Sequence, residues 1–164
     1  MHFPQLFDFN EIKLRSPEIK DAQTLFNLIE LNRSRLEPAF HWVHGLSQFE
    51  DEIKFIKRAI AYRNIGHAYH YALWFKGTPI GMVSLHSLDL NSRELELGYW
   101  ITQSFEGMGI MKKSLRLLIS DIEKLGWVAV IRTHHWNKRC QMLAFKLGYK
   151  QKHTNQFLIY RNQV

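Results

Sequence analysis

GMGIMKKS, residues 107–114, comes within one residue of two phosphate-binding signatures. G-x-x-x-x-G-K-[ST] fits Gly107, Lys113 and Ser114 but needs a glycine where Lys112 stands; G-x-G-x-x-G fits Gly107 and Gly109 and fails at the same lysine. The surroundings disfavour both. An ATP-binding loop normally follows an early strand, and a later apolar strand delivers an aspartate to magnesium. Here the loop arrives at residue 107, and the strand behind it ends in Arg132-Thr133-His134. A dinucleotide fold needs an acidic residue ending a strand about 20 residues on, and none stands there. What survives is more general. A strand, a glycine pair and a helix start make an anion site, because the first helical N–H groups lack intrahelical partners and the dipole favours negative charge. Lys112 and Lys113 in the first turn oppose that dipole, and they make sense beside a polyphosphate. The alternative is a tight turn carrying two solvated lysines.

Outward from this loop, period-two and period-3.6 patterns alternate along the chain. Residues 9–15 read as a short strand stopped at Pro17, and 18–36 as a helix with Ile19, Ala22, Leu25, Phe26, Ile29 and Leu36 on one face. Ser47 with Glu50 reads as a capping box opening a second helix, whose stripe is Ile53, Ile56, Ile60 and Ala61. Three strand-like segments follow, HAYHYALWF, KGTPIGMVSLHSLDL and RELELGYWI, separated by Lys76-Gly77 and Asn91-Ser92. Short connections make them an antiparallel meander. A helix from about Gly107 to Leu125 ends at Gly126, and WVAVIRTHH is the next strand. Asn137 caps a helix closed by Gly148, and strands near 149–153 and 156–161 finish the chain. The expectation is one α/β (α+β) domain over residues 1–164.

The whole chain narrows the classes further. With 164 residues, 46% apolar, there is enough chain for one sizeable core. Charges interrupt every apolar run short of the roughly 20 residues a membrane span needs, so no membrane association is expected. The N-terminus lacks a basic start followed by an apolar stretch, so no signal peptide is read there. Cys140 is the single cysteine, which excludes an intramolecular disulfide and makes cytoplasmic residence the default. A net charge of +7 calls for an anionic partner, but no zinc-finger or helix-pair signature points to direct nucleic-acid binding. Adjacent His134 and His135 face opposite ways on a strand, and no spaced set completes a metal site.

ELGYWITQSFEGMGIMKKSLRLL followed by NKRCQMLAFKLGY resembles the GNAT acetyltransferase superfamily, and within it the RimL-like branch of ribosomal-protein serine N-acetyltransferases. The family's phosphate loop, [QR]-x-x-G-x-[GA], is matched at Gly107 and Gly109 but not at Ser104. G-Y-W, S-F-x-G-x-G-I-M, the N-x-x-C helix and the element order extend the likeness over nearly the whole chain. The resemblance implies a mixed, mostly antiparallel sheet of about seven strands with a splayed parallel pair (93–101 and 127–134), flanked by four helices. It implies acetyl-CoA in the splay, no metal, and direct attack of an amine on the thioester.

Residue by residue, the resemblance implies the following. Backbone groups of Trp100, Ile101 and Thr102 would pair with the pantetheine arm, and the N–H groups of Met108, Gly109, Ile110 and Met111, with Lys112, would hold the pyrophosphate. Asn137 would cap its helix, touch the pantetheine, or both. Glu96, ahead of Glu94, is the general-base candidate, against a purely structural carboxylate. Cys140 replaces the branch's serine, and three roles stay open: proton donor to the leaving thiolate, acetyl carrier, or packing residue. The tyrosine that many relatives carry on the last helix corresponds to Ala144. Phe40, His41 and Trp42 would frame the acceptor entrance. The implied acceptor is the N-terminal serine amine of an acidic ribosomal stalk protein, whose pKa near ~8 eases loss of a proton relative to lysine. A polyamine or aminoglycoside acetyltransferase, and a non-enzymatic CoA-binding module, are the alternatives; a homodimer is compatible with any of them.

Overall fold

The computed structural model describes residues 3–153 and 158–161. The elements run β1 (Leu6–Phe9), β2 (Ile12–Arg15), α1 (Ala22–Leu36), α2 (Phe49–Asn64), β3 (Tyr69–Phe75), β4 (Thr78–Asp89), β5 (Glu94–Ile101), α3 (Ile110–Lys124), β6 (Val128–Thr133), α4 (Lys138–Lys146), β7 (Lys150–His153) and β8 (Leu158–Arg161). They form one sheet in the order β1-β2-β3-β4-β5-β6-β8-β7. Every neighbouring pair is antiparallel except β5 and β6, which are parallel. The expected mixed sheet with four helices is therefore present, with eight strands among the described residues rather than about seven. The expected last strand from 156 begins in residues outside those described, and its described part is β8.

The extra strand comes from 9–15. Asp8 Oδ1 accepts the Asn10 N–H at 3.0 Å, and Asn10 adopts φ +66, which turns the chain between β1 and β2. Asparagine tolerates this left-handed conformation better than most residues, so the expected single strand becomes a hairpin. The expected capping box moves by one residue. Asp51 Oδ2 accepts the Gln48 N–H at 3.2 Å and the Ser47 N–H at 3.3 Å, so Gln48 is the N-cap of α2. The fully buried residues of α2 are Glu52, Ile56 and Ala59, and Ile53 and Ile60 are half-buried against the same core. At Lys76-Gly77 both φ values are positive, +48 and +81, as a two-residue hairpin requires.

The sheet has two covered faces. On one, α3 buries Leu115, Leu118 and Ile122 against Val83, Leu85, Leu95, Leu97 and Ile131. On the other, Ile29 and Leu36 of α1 pack with Met82 and Trp100. Side chains alternate along β5, so Leu95, Leu97 and Tyr99 belong to the α3 face, and Glu96, Gly98 and Trp100 to the α1 face. The parallel pair is short. It joins Glu94 to Val128, Leu95 to Ala129 and Glu96 to Val130, and pairs no further. Beyond Glu96 the two strands diverge.

Candidate active site

The divergence of β5 and β6 opens a cleft of about 980 Å³ that reaches both faces of the sheet. Residues 97–101 of β5 form one wall, Thr133 to Leu143 the other, the end of α1 a third, and the loop 105–112 closes one end. Several cations line it, among them Arg35, Lys112, Arg132, Lys138 and Arg139, against the carboxylates Glu96 and Glu106.

The loop end is an anion cradle. Gly107 and Gly109 have φ +76 and +75, and a Cβ built at either would meet nothing within 4 Å. Space is therefore open in front of the backbone, in a conformation that favours glycine. Gly109 is the N-cap of α3, and the first N–H to find an intrahelical carbonyl is that of Lys113, bonded to Gly109 O at 3.0 Å. The N–H groups of Gly109, Ile110, Met111 and Lys112 are left to point out of the helix end. The helix thus starts three residues later than expected from the sequence, and this moves the cradle. Met108, 60% exposed, stands in the turn and does not line the cleft, whereas Ile110, Met111 and Lys112 do.

Strand register decides which backbone groups face the cleft. The Thr102 N–H donates to Ile80 O at 2.7 Å, toward β4, and Arg93 O accepts from Val128 N–H at 2.8 Å, toward β6. Because backbone direction alternates, Tyr99 and Ile101 turn their N–H and C=O toward the cleft, and Trp100 and Thr102 turn theirs toward β4. Of the expected trio, Ile101 turns its backbone groups to the cleft, and Tyr99 does so beside it. Thr102 binds Asn32 instead: the amide Nδ2 donates to Thr102 Oγ1 at 2.9 Å, and Asn32 Oδ1 accepts from Gln103 N–H at 3.1 Å. Buried Asn32 thereby ties α1 to the loop that leads into the cradle.

On the α3 face, Asn137 Oδ1 accepts the Cys140 N–H at 3.1 Å and caps α4. Cys140 Sγ lies 3.0 Å from the Tyr99 hydroxyl, with Thr133 also bonded to it. Burial raises the pKa of both Tyr99 and Cys140 and keeps them protonated at neutral pH. Ala144 is fully buried. A phenol is therefore supplied to this end of the cleft by G-Y-W on β5, although the last helix carries none at Ala144. Tyr99 went unnoticed as a chemical group because the sequence motif reads equally well as packing.

On the α1 face, Glu96 Oε2 accepts from Arg132 Nε at 3.0 Å. His86 of β4 is directly opposite Glu96 in the antiparallel register and lines the cleft with it. Glu94 lies outside the cleft lining and pairs with Arg161. Glu106, inside the loop motif itself, pairs with both Arg35 of α1 and Arg139 of α4. That bridge neutralises a carboxylate that would otherwise oppose an anion. Phe40 lines the cleft; His41 and Trp42 lie on the short 3₁₀ segment at 41–45 and do not, and the Trp42 ring packs 5.8 Å from that of Phe40. Among the described residues no cluster of three His, Cys, Asp or Glu side chains could hold a metal, and no helix is long and apolar enough to cross a membrane.

A mostly antiparallel sheet opened at one parallel pair, with a helix-end anion cradle at the opening, defines an acyltransferase of the GNAT type. Residues 11–150 match the model of the acetyltransferase (GNAT) domain, and the chain belongs to that family. It is 36% identical over 113 residues to YdaF of Bacillus subtilis (strain 168), a candidate ribosomal N-acetyltransferase, covering 66% of this chain and 60% of that protein. It is 23% identical over 140 residues to the ribosomal-protein-serine acetyltransferase of Escherichia coli (strain K12), covering 84% and 78%. Among solved structures, RimL, the ribosomal L7/L12 α-N-protein acetyltransferase in complex with coenzyme A, superposes with a TM-score of 0.89 at 20% identity, covering 97% of this chain and 98% of that one. The microcin C7 self-immunity acetyltransferase MccE, bound to acetyl-CoA and AMP, also gives 0.89, at 23% identity and 99% and 98% coverage.

Proposed function

We propose that the protein transfers acetyl from acetyl-CoA to the N-terminal amine of a protein, with the N-terminal serine of an acidic ribosomal stalk-type protein as acceptor. The observation that carries this reading is the cleft itself: a strand edge at Tyr99 and Ile101 leads into the cradle at Gly109–Lys112. An extended pantetheine arm bonds to such an edge as an added strand does, and a pyrophosphate suits free N–H groups at a helix end. Lys112 adds charge there, and Asn137, its oxygen engaged by the cap, has its amide nitrogen for the pantetheine. The bound thioester supplies an acyl group already activated for attack.

The protein's own residues then divide the work across the sheet. Glu96, held by Arg132, offers a carboxylate to the acceptor's ammonium on the α1 face, where Phe40 gives an apolar contact. Tyr99 and Cys140 stand protonated on the opposite face and give a proton to the departing thiolate. A thiol kept protonated by burial is a poor nucleophile, which favours direct attack over an acetyl-cysteine. The names of the relatives support a ribosomal acceptor, and the +7 charge supports an acidic one. The test is mass spectrometry after incubation with acetyl-CoA, ribosomal proteins and small amines. An acetylated N-terminal serine peptide is expected; acetylated polyamine or aminoglycoside alone refutes the acceptor, and no transfer with CoA still bound refutes the enzyme.

A further inference from the structure

We propose that His86 is the catalytic base that takes the proton from the acceptor ammonium, and that Glu96 steadies the imidazolium formed. This rests on the acetyltransfer reading above and identifies the atom that receives the proton. Three features of the α1 face lead to it. First, His86 and Glu96 are cross-strand partners on adjacent strands, and both line the cleft where β5 leaves β6. Second, the ring is oriented. Nδ1 lies 3.1 Å from Ser87 Oγ, so Nε2 is the nitrogen turned toward Gly98. Third, Gly98 lets the ring sit close against β5: a Cβ there would stand 3.2 Å from Nε2 and 2.6 Å from Ser84 Oγ, too near for either to stay in place. The glycine of G-Y-W thus leaves room for the imidazole itself beside β5, at the cleft wall.

The charged and titratable groups around His86 are Glu96 on β5, Arg132 on β6 and His70 on β3. Burial lowers the His86 pKa, Glu96 works against that, and Arg132 adds to it. His70 is held neutral down to about 4, chiefly by burial, and brings no charge at neutral pH. The neutral imidazole is therefore the resting form, and the neutral form is the one that can accept a proton. Glu96 is already engaged by Arg132; its charge serves to attract the ammonium and then to balance the imidazolium.

The step balances simply. One proton passes from the acceptor ammonium to His86 Nε2 and later to solvent. The freed lone pair forms the C–N bond as the thioester C–S bond breaks; the second nitrogen proton leaves to solvent, and the departing sulfur takes a proton from the Tyr99–Cys140 pair, which regains one from solvent. Nothing is oxidised or reduced.

The experiment compares the wild-type protein with His86→Gln and Glu96→Gln, measuring kcat/KM for a serine-terminated acidic peptide across pH 5.5–9, with acetyl-CoA affinity followed in parallel by calorimetry. His86→Gln is expected to lower kcat by about 10²-fold, in the range of a lost acid–base group, with acetyl-CoA affinity unchanged. Its pH profile should rise only with the peptide's own amine, near ~8. Added imidazole should restore part of the rate in His86→Ala. Glu96→Gln should move the wild-type acidic limb to lower pH, because the imidazolium loses its partner. Unchanged kcat and an unchanged acidic limb in His86→Gln, with acetyl-CoA bound normally, overturn the assignment of His86 alone. If the wild-type protein itself transfers no acetyl to any amine, the acetyltransfer reading and this assignment fall together.

Discussion

Glu52 gives the sharpest quantitative test of the fold, because the sequence places a carboxylic acid where α2 turns inward. The side chain is fully buried, and neither carboxyl oxygen has a hydrogen-bond partner. Burial alone pushes its pKa from 4.5 up to about 7. The folded protein therefore holds a proton that the unfolded chain has already released between those two values. Stability must fall as pH rises through this window, by about 1.4 kcal/mol per unit, and then level off as the folded form also ionises. Between pH 5 and pH 8 the loss from this one group comes to roughly 2 to 3 kcal/mol. Glu52→Met fills a similar volume without a titrating group or an orphaned polar atom. Urea unfolding of both proteins at pH 5 and pH 8, at one ionic strength, isolates the effect, since every other titrating group cancels in the mutant-minus-wild-type difference. The advantage of Glu52→Met should be larger at pH 8 by roughly 2 to 3 kcal/mol. An equal difference at both pH values would mean that Glu52 ionises alike in both states, and the reasoning from burial would be wrong.

Other perturbations test the site. Asn137→Ala removes the α4 cap at a cost of about 1 kcal/mol, lowering Tm by about 2–4 °C; Asn137→Ser should restore Tm but not acetyl-CoA affinity, measured by calorimetry, because it lacks the amide nitrogen. Tyr99→Phe and Cys140→Ala should each lower kcat by at least about 10-fold with little change in acetyl-CoA affinity, and Cys140→Ser should retain most of the rate; intact-mass spectra after acetyl-CoA should show no acetyl adduct on the protein. Gly109→Ala strains a residue at φ +75 and puts a Cβ in the open cradle, so its Kd for CoA should rise about 10-fold or more.

The parts of this fold legible in the sequence were those fixed by local chemistry. Lys76-Gly77 can form a two-residue hairpin and little else, Asn137 can cap a helix within its own three-residue reach, and the loop glycines permit positive φ before any tertiary contact exists. Errors arose where a choice between neighbours was settled at a distance. Gln48 with Asp51, rather than Ser47 with Glu50, forms the capping box of α2, and the buried positions of the helix include Glu52 while Ile53 is half-buried. No pattern of apolar residues announces a buried acid. Likewise the period of β5 places Glu96 and Trp100 on one face correctly, but it cannot say whether odd or even backbone groups face β6. That is decided by two bonds, Thr102 to Ile80 and Val128 to Arg93.

The same logic explains which site residues were missed. Glu96 was named from the resemblance and its place on the strand, and it lines the cleft. His86, Arg132 and Tyr99 come from three strands, 13 to 46 residues apart in sequence by their numbers, and reach one cleft only through register and the splay. Glu106 lies within SFEGMG, but its partners Arg35 and Arg139 reach it from two helices and have no signal near it in sequence. The arrangement has a consequence for how the two halves of the reaction are kept apart. Strand alternation alone puts Glu96 on the α1 face and Tyr99 on the α3 face, so in the proposed reaction a proton is collected on one side of the sheet and delivered on the other. The gap where β5 and β6 stop pairing joins the two faces at the cleft.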